Sequence, residues 1–225
     1  MLDTPSIIYV VDDDADSRES LLFLLHTVDL PARAFSSAAE FLQQLDLNQP
    51  GCLVCDIRMP GMSGLDLFEK LTALGSQLPV IFITAYADVP MAVRALKSGA
   101  AEFVEKPFHA QTMIERIQRA LKADRQQREE SAHWSVFQQR LESLTDKERE
   151  TLAFVREGAP NKAIAMRLSI TERAVEMRRA SLMKKLDAHS LAELIRLVTA
   201  AEIHSEHRSE LRTASMPPFR PDFAT

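Results

Sequence analysis

The chain has 225 residues, 46% of them hydrophobic, and a formal net charge of −5 at pH 7, enough apolar material for one large cored domain or two smaller ones. No apolar run reaches the length of a membrane span, and the first residues lack the charged and apolar regions of a secretory signal, so a cytoplasmic protein with no membrane partner is expected. The charge is uneven: residues 1–122 carry 10 basic and 16 acidic side chains, residues 144–201 carry 11 and 8, which predicts two domains with different partners.

Ile7–Val11 reads as a buried strand, closed by Asp12, Asp13 and Asp14. Asp16 to Val28 has helical periodicity, and Ala32–Phe35 is a short strand. Ser37 with Glu40 forms a capping box for a helix to about Leu45. Leu53 to Asp56 is an apolar run meeting one carboxylate, then breaking into Met-Pro-Gly and Ser-Gly, which predicts a buried strand, a turn, and a helix from Leu65 to Ala73. Cys52 and Cys55 form a C-x-x-C, but three residues apart on a strand their side chains point to opposite faces. With no further cysteine in the chain, they are expected to be reduced core residues. Pro79–Thr84 is another buried strand, Pro90–Ser98 a helix stopped by Gly99, Glu102–Glu105 a strand before Lys106-Pro107-Phe108, and Gln111 to about Lys122 a helix. Alternating strands and helices with apolar strand interiors predict a parallel, doubly wound, flavodoxin-like (βα)5 domain over residues 1–122.

In such a sheet, ligands sit beyond the carboxyl ends of the strands. Asp12, Asp13, Asp56 and Thr84 fall at those ends, and Lys106 follows the fifth strand. Read alone, Asp56 could equally cap a loop. Together, crowded carboxylates call for a cation, and their oxygens suit Mg²⁺. A hydroxyl and an ammonium at the same rim suit phosphoryl oxygens. These are parts for phosphoryl transfer onto Asp56, which would serve as both nucleophile and metal ligand. A metal-dependent phosphatase is a rival, but it would want a second acid/base aspartate where the chain has Arg58.

The segments Val11-Asp12-Asp13, Cys55-Asp56-Ile57-Arg58-Met59-Pro60, Ile83-Thr84-Ala85 and Glu105-Lys106-Pro107-Phe108, in this order, resemble a response-regulator receiver domain over about residues 5–122. The resemblance implies that Asp56 accepts a phosphoryl group from a sensor histidine kinase. It implies that Asp13, Asp56 and the Arg58 carbonyl bind Mg²⁺, with Asp12 in support, and that Thr84 and Lys106 hold phosphate oxygens. Phe103 matches the switch aromatic. A receiver-like scaffold that is not phosphorylated would normally lack one of Asp13, Asp56, Thr84 or Lys106, and all four are present. The family often pairs two receivers through the surface made by the Pro90–Ser98 helix, the Glu102–Glu105 strand and the helix from Gln111. Val93 and Lys97 lie four apart on that first helix and would form the dimer face on phosphorylation. The alternative is that this face holds a closed monomer.

Residues 123–141 are polar and without Gly or Pro, read as a helical linker with Trp134 and Phe137 as docking points, or else as a solvated linker. Thr145 and Glu148 form a capping box opening a helix to about Arg156; Gly158–Asn161 ends it and caps the next, Asn161–Leu168. After the turn Ser169–Thr171, a helix capped by Thr171 runs to about Leu186, and Ser190 with Glu193 caps a last helix from Leu191 to about Ala201. Two short helices joined by a tight turn make a helix-turn-helix. On a helical wheel, Val175, Leu182 and Leu186 form the core stripe, while Arg173, Glu176, Met177, Ala180 and Lys184 face outward, where a major-groove helix reads bases. Arg178, Arg179 and Lys185 flank the stripe and are expected to reach phosphates, with Lys162 as a further DNA contact. Gly158-x-x-Asn161-Lys162, Ile164-Ala165-x-x-Leu168, Val175-Glu176 and Lys184-Lys185-Leu186 resemble a LuxR-type DNA-binding domain over 142–203, departing at Ala174, usually Thr, and Arg178, usually His.

With the receiver, this resembles the FixJ/NarL class of transcription regulators. It implies a phosphorylation-activated regulator binding double-stranded DNA, with RNA polymerase a further partner, and no enzyme activity beyond its own phosphorylation and dephosphorylation. The rival is a signalling adaptor whose helical half binds protein. Residues 204–225, polar and with three prolines, are expected to be a disordered tail.

Overall fold

The computed structural model describes residues 4–85 and 100–214, with side chains through 203. The expected helix Pro90–Ser98, with Val93 and Lys97, lies outside the described residues, as do residues 215–225. Packing divides the chain into two units that meet at Arg128 and Glu129.

In the first unit, five parallel strands, β1 (Ile7–Val11), β2 (Ala32–Phe35), β3 (Gly51–Asp56), β4 (Val80–Thr84) and β5 (Glu102–Glu105), form one sheet in the order β2-β1-β3-β4-β5. Helices α1 (Ala15–His26), α2 (Ala38–Gln43), α3 (Gly64–Ala73) and the start of α4 (Ala110–Glu142) cover it. Strand alternation makes two cores. Tyr9, Val11, Leu53, Cys55 and Phe82 face one side with Phe41, Leu67 and Leu71. Ile8, Val10, Cys52, Val54, Ile81, Ile83 and Val104 face the other with Leu21, Leu25, Met113 and Ile117. Each such buried side chain stabilises the fold by about 1.5–3 kcal/mol. Cys52 and Cys55 therefore sit on opposite faces, as free thiols.

Caps set the helix starts. Asp14 accepts from the Ser17 N–H at 2.7 Å, so α1 begins one residue earlier than the periodicity suggests. At α2 only half of the expected capping box forms: Ser37 accepts from the Glu40 N–H, but the Glu40 carboxylate turns to the N–H and hydroxyl of Ser36, both at 2.8 Å. That helix stops at Gln43, short of Leu45. At α3 a full box joins Ser63 and Asp66. The next residue, Gly64, lies so close to β3 that a Cβ would stand 2.3 Å from the Asp56 carbonyl oxygen. Only glycine lets α3 start directly beneath the strand that presents Asp56.

In the second unit, the end of α4 packs with α5 (Asp146–Arg156), α6 (Asn161–Leu168), α7 (Glu172–Lys185) and α8 (Leu191–Ala214). Residues 123–141 thus lie inside one uninterrupted helix. Phe137, Leu152, Val155, Ile164, Val175, Leu182, Leu186, Leu194 and Val198 form the core, and Trp134 stacks edge-on to Phe137 at 6.1 Å. Thr145 and Glu148 make the full capping box expected of them. Gly158–Asn161 ends α5 and supplies the N-cap of α6 as expected, through Pro160 and without a side-chain bond. Ser190 accepts from the Glu193 N–H at 3.1 Å, but the Glu193 carboxylate reaches His189 instead of closing the box. Helix α8 passes its expected end near Ala201, so the segment from 204 is helical through Ala214 where disorder was expected. Each residue added to a helix already nucleated by packing brings one further backbone bond, so polar residues can extend it.

Candidate functional site

The sheet register brings the predicted residues to one rim. Val11 lies beside both Phe35 and Cys55, Asp56 beside Ile83, and Thr84 beside Glu105. The ladder continues one residue further: the Asp12 N–H donates to Phe35 O, Ile57 N–H to Ile83 O, and Lys106 N–H to Thr84 O, at 3.3, 3.0 and 2.8 Å. Each functional residue is thereby fixed by a neighbouring strand.

Asp12 is fully buried, Asp56 and Thr84 are buried, and Asp13 is exposed. The carboxylates of Asp12, Asp13 and Asp56 lie within 4.8 Å of one another. Lys106 Nζ stands 2.7 Å from Asp12 Oδ2 and 2.9 Å from Asp56 Oδ2. Burial pulls the Lys106 ammonium downward, but its hydrogen bonds to Asp12 and Asp56 and their charges prevail and hold it above the usual lysine range. It therefore remains a cation at neutral pH, offsetting carboxylates that would otherwise repel. The Arg58 N–H donates to Asp56 Oδ1 at 2.9 Å, leaving the Asp56 oxygens divided between a backbone donor and an ammonium. Phe103 is half-buried at the register position of Phe82 and packs on the adjoining core.

Two supporting residues were not foreseen. Ser17 Oγ donates to Asp12 Oδ2 at 2.7 Å, and Arg18 Nη1 donates to the Asp12 carbonyl at 2.7 Å. With the Asp14 N–H on Asp12 Oδ1 at 3.0 Å, Ser17 holds the buried carboxylate from two sides while Arg18 holds the backbone of the same residue. The available signal was Asp14, whose capping role places Ser17 and Arg18 in the first turn of α1. The thiols beneath the site are inert: burial, with the negative charge of Asp124 nearby, pushes Cys52 up to about 12, and burial beside Asp56 and Asp12 raises Cys55 further. A thiol that stays protonated is neither nucleophile nor metal ligand.

Three carboxylates on one rim, with a backbone carbonyl nearby in sequence at Arg58, are hard oxygen ligands of the kind Mg²⁺ takes. The residues fit.

In the second unit, Val175 and Leu182 on α7 and Leu186 at its C-cap are at 0% exposure, while Arg173, Glu176, Met177, Ala180 and Lys184 face solvent, Met177 at 68%. Lys162, at the start of α6, is also exposed. The three cations expected to flank the core and reach phosphate also make hydrogen bonds within the unit. Arg178 donates to Lys147 O at 3.4 Å, Arg179 to Asn161 Oδ1 at 2.7 Å, and Lys185 to Glu148 Oε2 at 2.7 Å. A helical wheel gives direction but not the partners that other helices supply. Glu148, buried, also accepts from Ser181 Oγ at 2.6 Å and from the Thr145 N–H and hydroxyl. These bonds, Lys185 first and Ser181 next, hold its carboxyl at about 2. Glu148 and Asn161 thus pin α7 from two sides.

Residues 8–118 match the response regulator receiver domain family, and residues 142–198 match the luxR family of bacterial regulatory proteins. The chain is 42% identical over 197 residues to the response regulator protein TmoT of Ectopseudomonas mendocina, covering 88% of this chain and 90% of that one. It is 42% identical to the transcriptional regulatory protein FixJ of Azorhizobium caulinodans, covering 87% and 93%. Among solved structures, the response regulator StyR superposes with a TM-score of 0.78 at 41% identity, over 87% of this chain and 99% of that one. Full-length FixJ from B. japonicum gives 0.55 at 38%, over 89% and 98%. Among the described residues no helix is long and apolar enough to cross a membrane. With both halves matched and relatives aligned across them, the helical half is a DNA-binding domain and not a protein-binding adaptor. The chain belongs to the response regulators, a receiver joined to a LuxR-type DNA-binding domain, and it is a transcription regulator.

Proposed function

We propose that Asp56 is the phosphoacceptor of a switch that controls DNA binding by α7. The observation that carries this is the bridging of Asp12 and Asp56 by Lys106 beside the buried Thr84. A carboxylate oxygen of Asp56 attacks the phosphorus of a phosphohistidine on the sensor kinase. The P–N bond breaks, its electron pair stays on the imidazole, and Asp56 becomes an acyl phosphate. Lys106 moves its contact from the carboxylate to the phosphoryl oxygens, and Thr84 donates its hydroxyl to them, since charge-assisted hydrogen bonds are the stronger ones. Asp13, Asp56 and the Arg58 carbonyl would hold Mg²⁺, with Asp12 in support; when bound, Mg²⁺ neutralises charge on the transferring group. Water later reverses the modification by hydrolysing the acyl phosphate, so the chain's chemistry is its own phosphorylation and dephosphorylation. Phe103 turns inward as Thr84 shifts. The setting is the cytoplasm, where kinase domain, DNA and RNA polymerase are all within reach.

Two receivers then pair through the surface at β5 and α4, with Val93 and Lys97 expected to take part. Full-length protein treated with beryllofluoride and Mg²⁺ is expected to double its mass by light scattering, and Val93→Asp to stay single. A monomer at high micromolar concentration, with the site occupied, argues for release of a closed state instead.

For DNA, Arg173, Glu176, Met177, Ala180 and Lys184 face the major groove, and Lys162, Arg178, Arg179 and Lys185 meet the backbone, the last three also positioning α7. Arg173→Ala and Lys184→Ala are each expected to weaken duplex binding by about 1–3 kcal/mol if they touch bases, or evenly across sequences, with a shallower salt dependence, if they touch phosphate. Unchanged binding by both folded variants would remove this face from the interface.

A further inference from the structure

The receiver match ends at residue 118, and the charged stretch that follows reads as linker. Within that stretch Asp124 is 1% exposed. Its Oδ2 accepts the Gly51 N–H at 3.0 Å. One turn later, Arg128 Nε donates to both Asp124 oxygens at 2.9 and 3.0 Å. Its other two nitrogens donate to the carbonyls of Asn48 and Gln49, each at 3.0 Å. The guanidinium and the buried carboxylate are thus joined to each other and to the backbone entering β3. A buried carboxylate so satisfied is a fixed point, because losing one partner leaves a charge without compensation. Gly51 also sits tight against β1: a Cβ there would stand 1.9 Å from the Ile7 carbonyl oxygen. Asp56 lies at the carboxyl end of the same strand, which pairs with β1 over Gly51–Cys55 and with β4 over Leu53–Asp56.

We propose that Asp124 and Arg128 clasp the linker helix to the amino end of β3, so that the receiver ends at Arg128, and that this clasp is needed to pass the state of Asp56 to the DNA-binding half. The clasp stands on geometry alone; its role in transmission rests on the phosphorylation switch proposed above. Only one strand separates the two ends, so the linker needs no contact with the dimer face to be fixed relative to the phosphoacceptor. A clasp also makes the helix phase at residue 128 the same in every molecule, a condition for two output domains to meet DNA in one register.

The test is amide hydrogen exchange by mass spectrometry on the full chain, paired with duplex binding with and without beryllofluoride and Mg²⁺. In Arg128→Ala, peptides spanning 48–52 and 119–130 are expected to lose protection. Loading of Asp56 by a small phosphodonor should be unchanged, and the mimic-induced gain in DNA affinity should fall by about threefold or more. Asp124→Asn keeps an acceptor for Gly51 and loses the ion pair, so it should give a smaller loss of the same kind. Unchanged exchange in both variants would overturn the clasp. Lost protection with the full gain in affinity would overturn its role in transmission. If the wild-type protein itself shows no gain, the switch fails and with it transmission, while the exchange result still decides the clasp.

Discussion

Asp56→Asn is expected to take up no phosphoryl group from a small phosphodonor, and to bind Mg²⁺ more weakly. The substitution exchanges a nucleophilic carboxylate oxygen for a carboxamide and removes one negative charge from the acidic group. The fold should persist. Lys106 keeps its 2.7 Å contact with Asp12, and an Asn oxygen can still accept from the Arg58 N–H. Intact-mass measurement after treatment with phosphodonor reads the result directly. Full phosphorylation of the variant would move the acceptor elsewhere, and Asp13, exposed beside it, would be the next residue to examine.

Glu148→Ala is expected to destabilise the DNA-binding unit by about 2–4 kcal/mol, because it removes a helix cap and a charge-assisted pair that is largely out of water. The carboxylate serves Thr145, Ser181 and Lys185 at once, so its loss frees α7 from the start of α5. The single tryptophan, Trp134, packs in this unit, so denaturant unfolding followed by its fluorescence reports the change. An unchanged midpoint would contradict the role given to Glu148. The pH dependence follows from the lowered carboxyl. The stabilisation is complete above the ordinary value of 4.5 and is lost as pH falls toward about 2. Wild-type protein should therefore lose stability across that acid window, and Glu148→Gln should lose less of it.

Much of the receiver was legible because its chemistry sits at strand ends. Three apolar runs closing on Asp12, Asp56 and Thr84, and a short strand before Lys106, place those residues at one rim of any parallel sheet, and the register does so. What could not be read depends on pairs distant in sequence. Asp124 looks like one more solvated charge until α4 lays it against Gly51, and no local pattern signals that approach. Arg178, Arg179 and Lys185 lie on the correct edge of α7, yet their partners Lys147, Asn161 and Glu148 come from α5 and α6. The capping boxes show a finer limit. Thr145–Glu148 and Ser190–Glu193 share a spacing, but only the first closes, because the Glu193 carboxylate finds the His189 N–H instead.

The central claim is that the state of Asp56 sets the affinity of α7 for DNA. The direct measurement is a fluorescence anisotropy titration of a duplex recovered from a random-sequence pool on the phosphorylated protein. Full-length wild-type protein and Asp56→Asn are titrated at one fixed salt concentration, with and without beryllofluoride and Mg²⁺. Wild-type protein is expected to bind about tenfold or more tightly with the mimic, a coupling of about 1.4 kcal/mol, and Asp56→Asn not to respond. Equal wild-type affinity in both conditions, with site occupancy established, would contradict the switch.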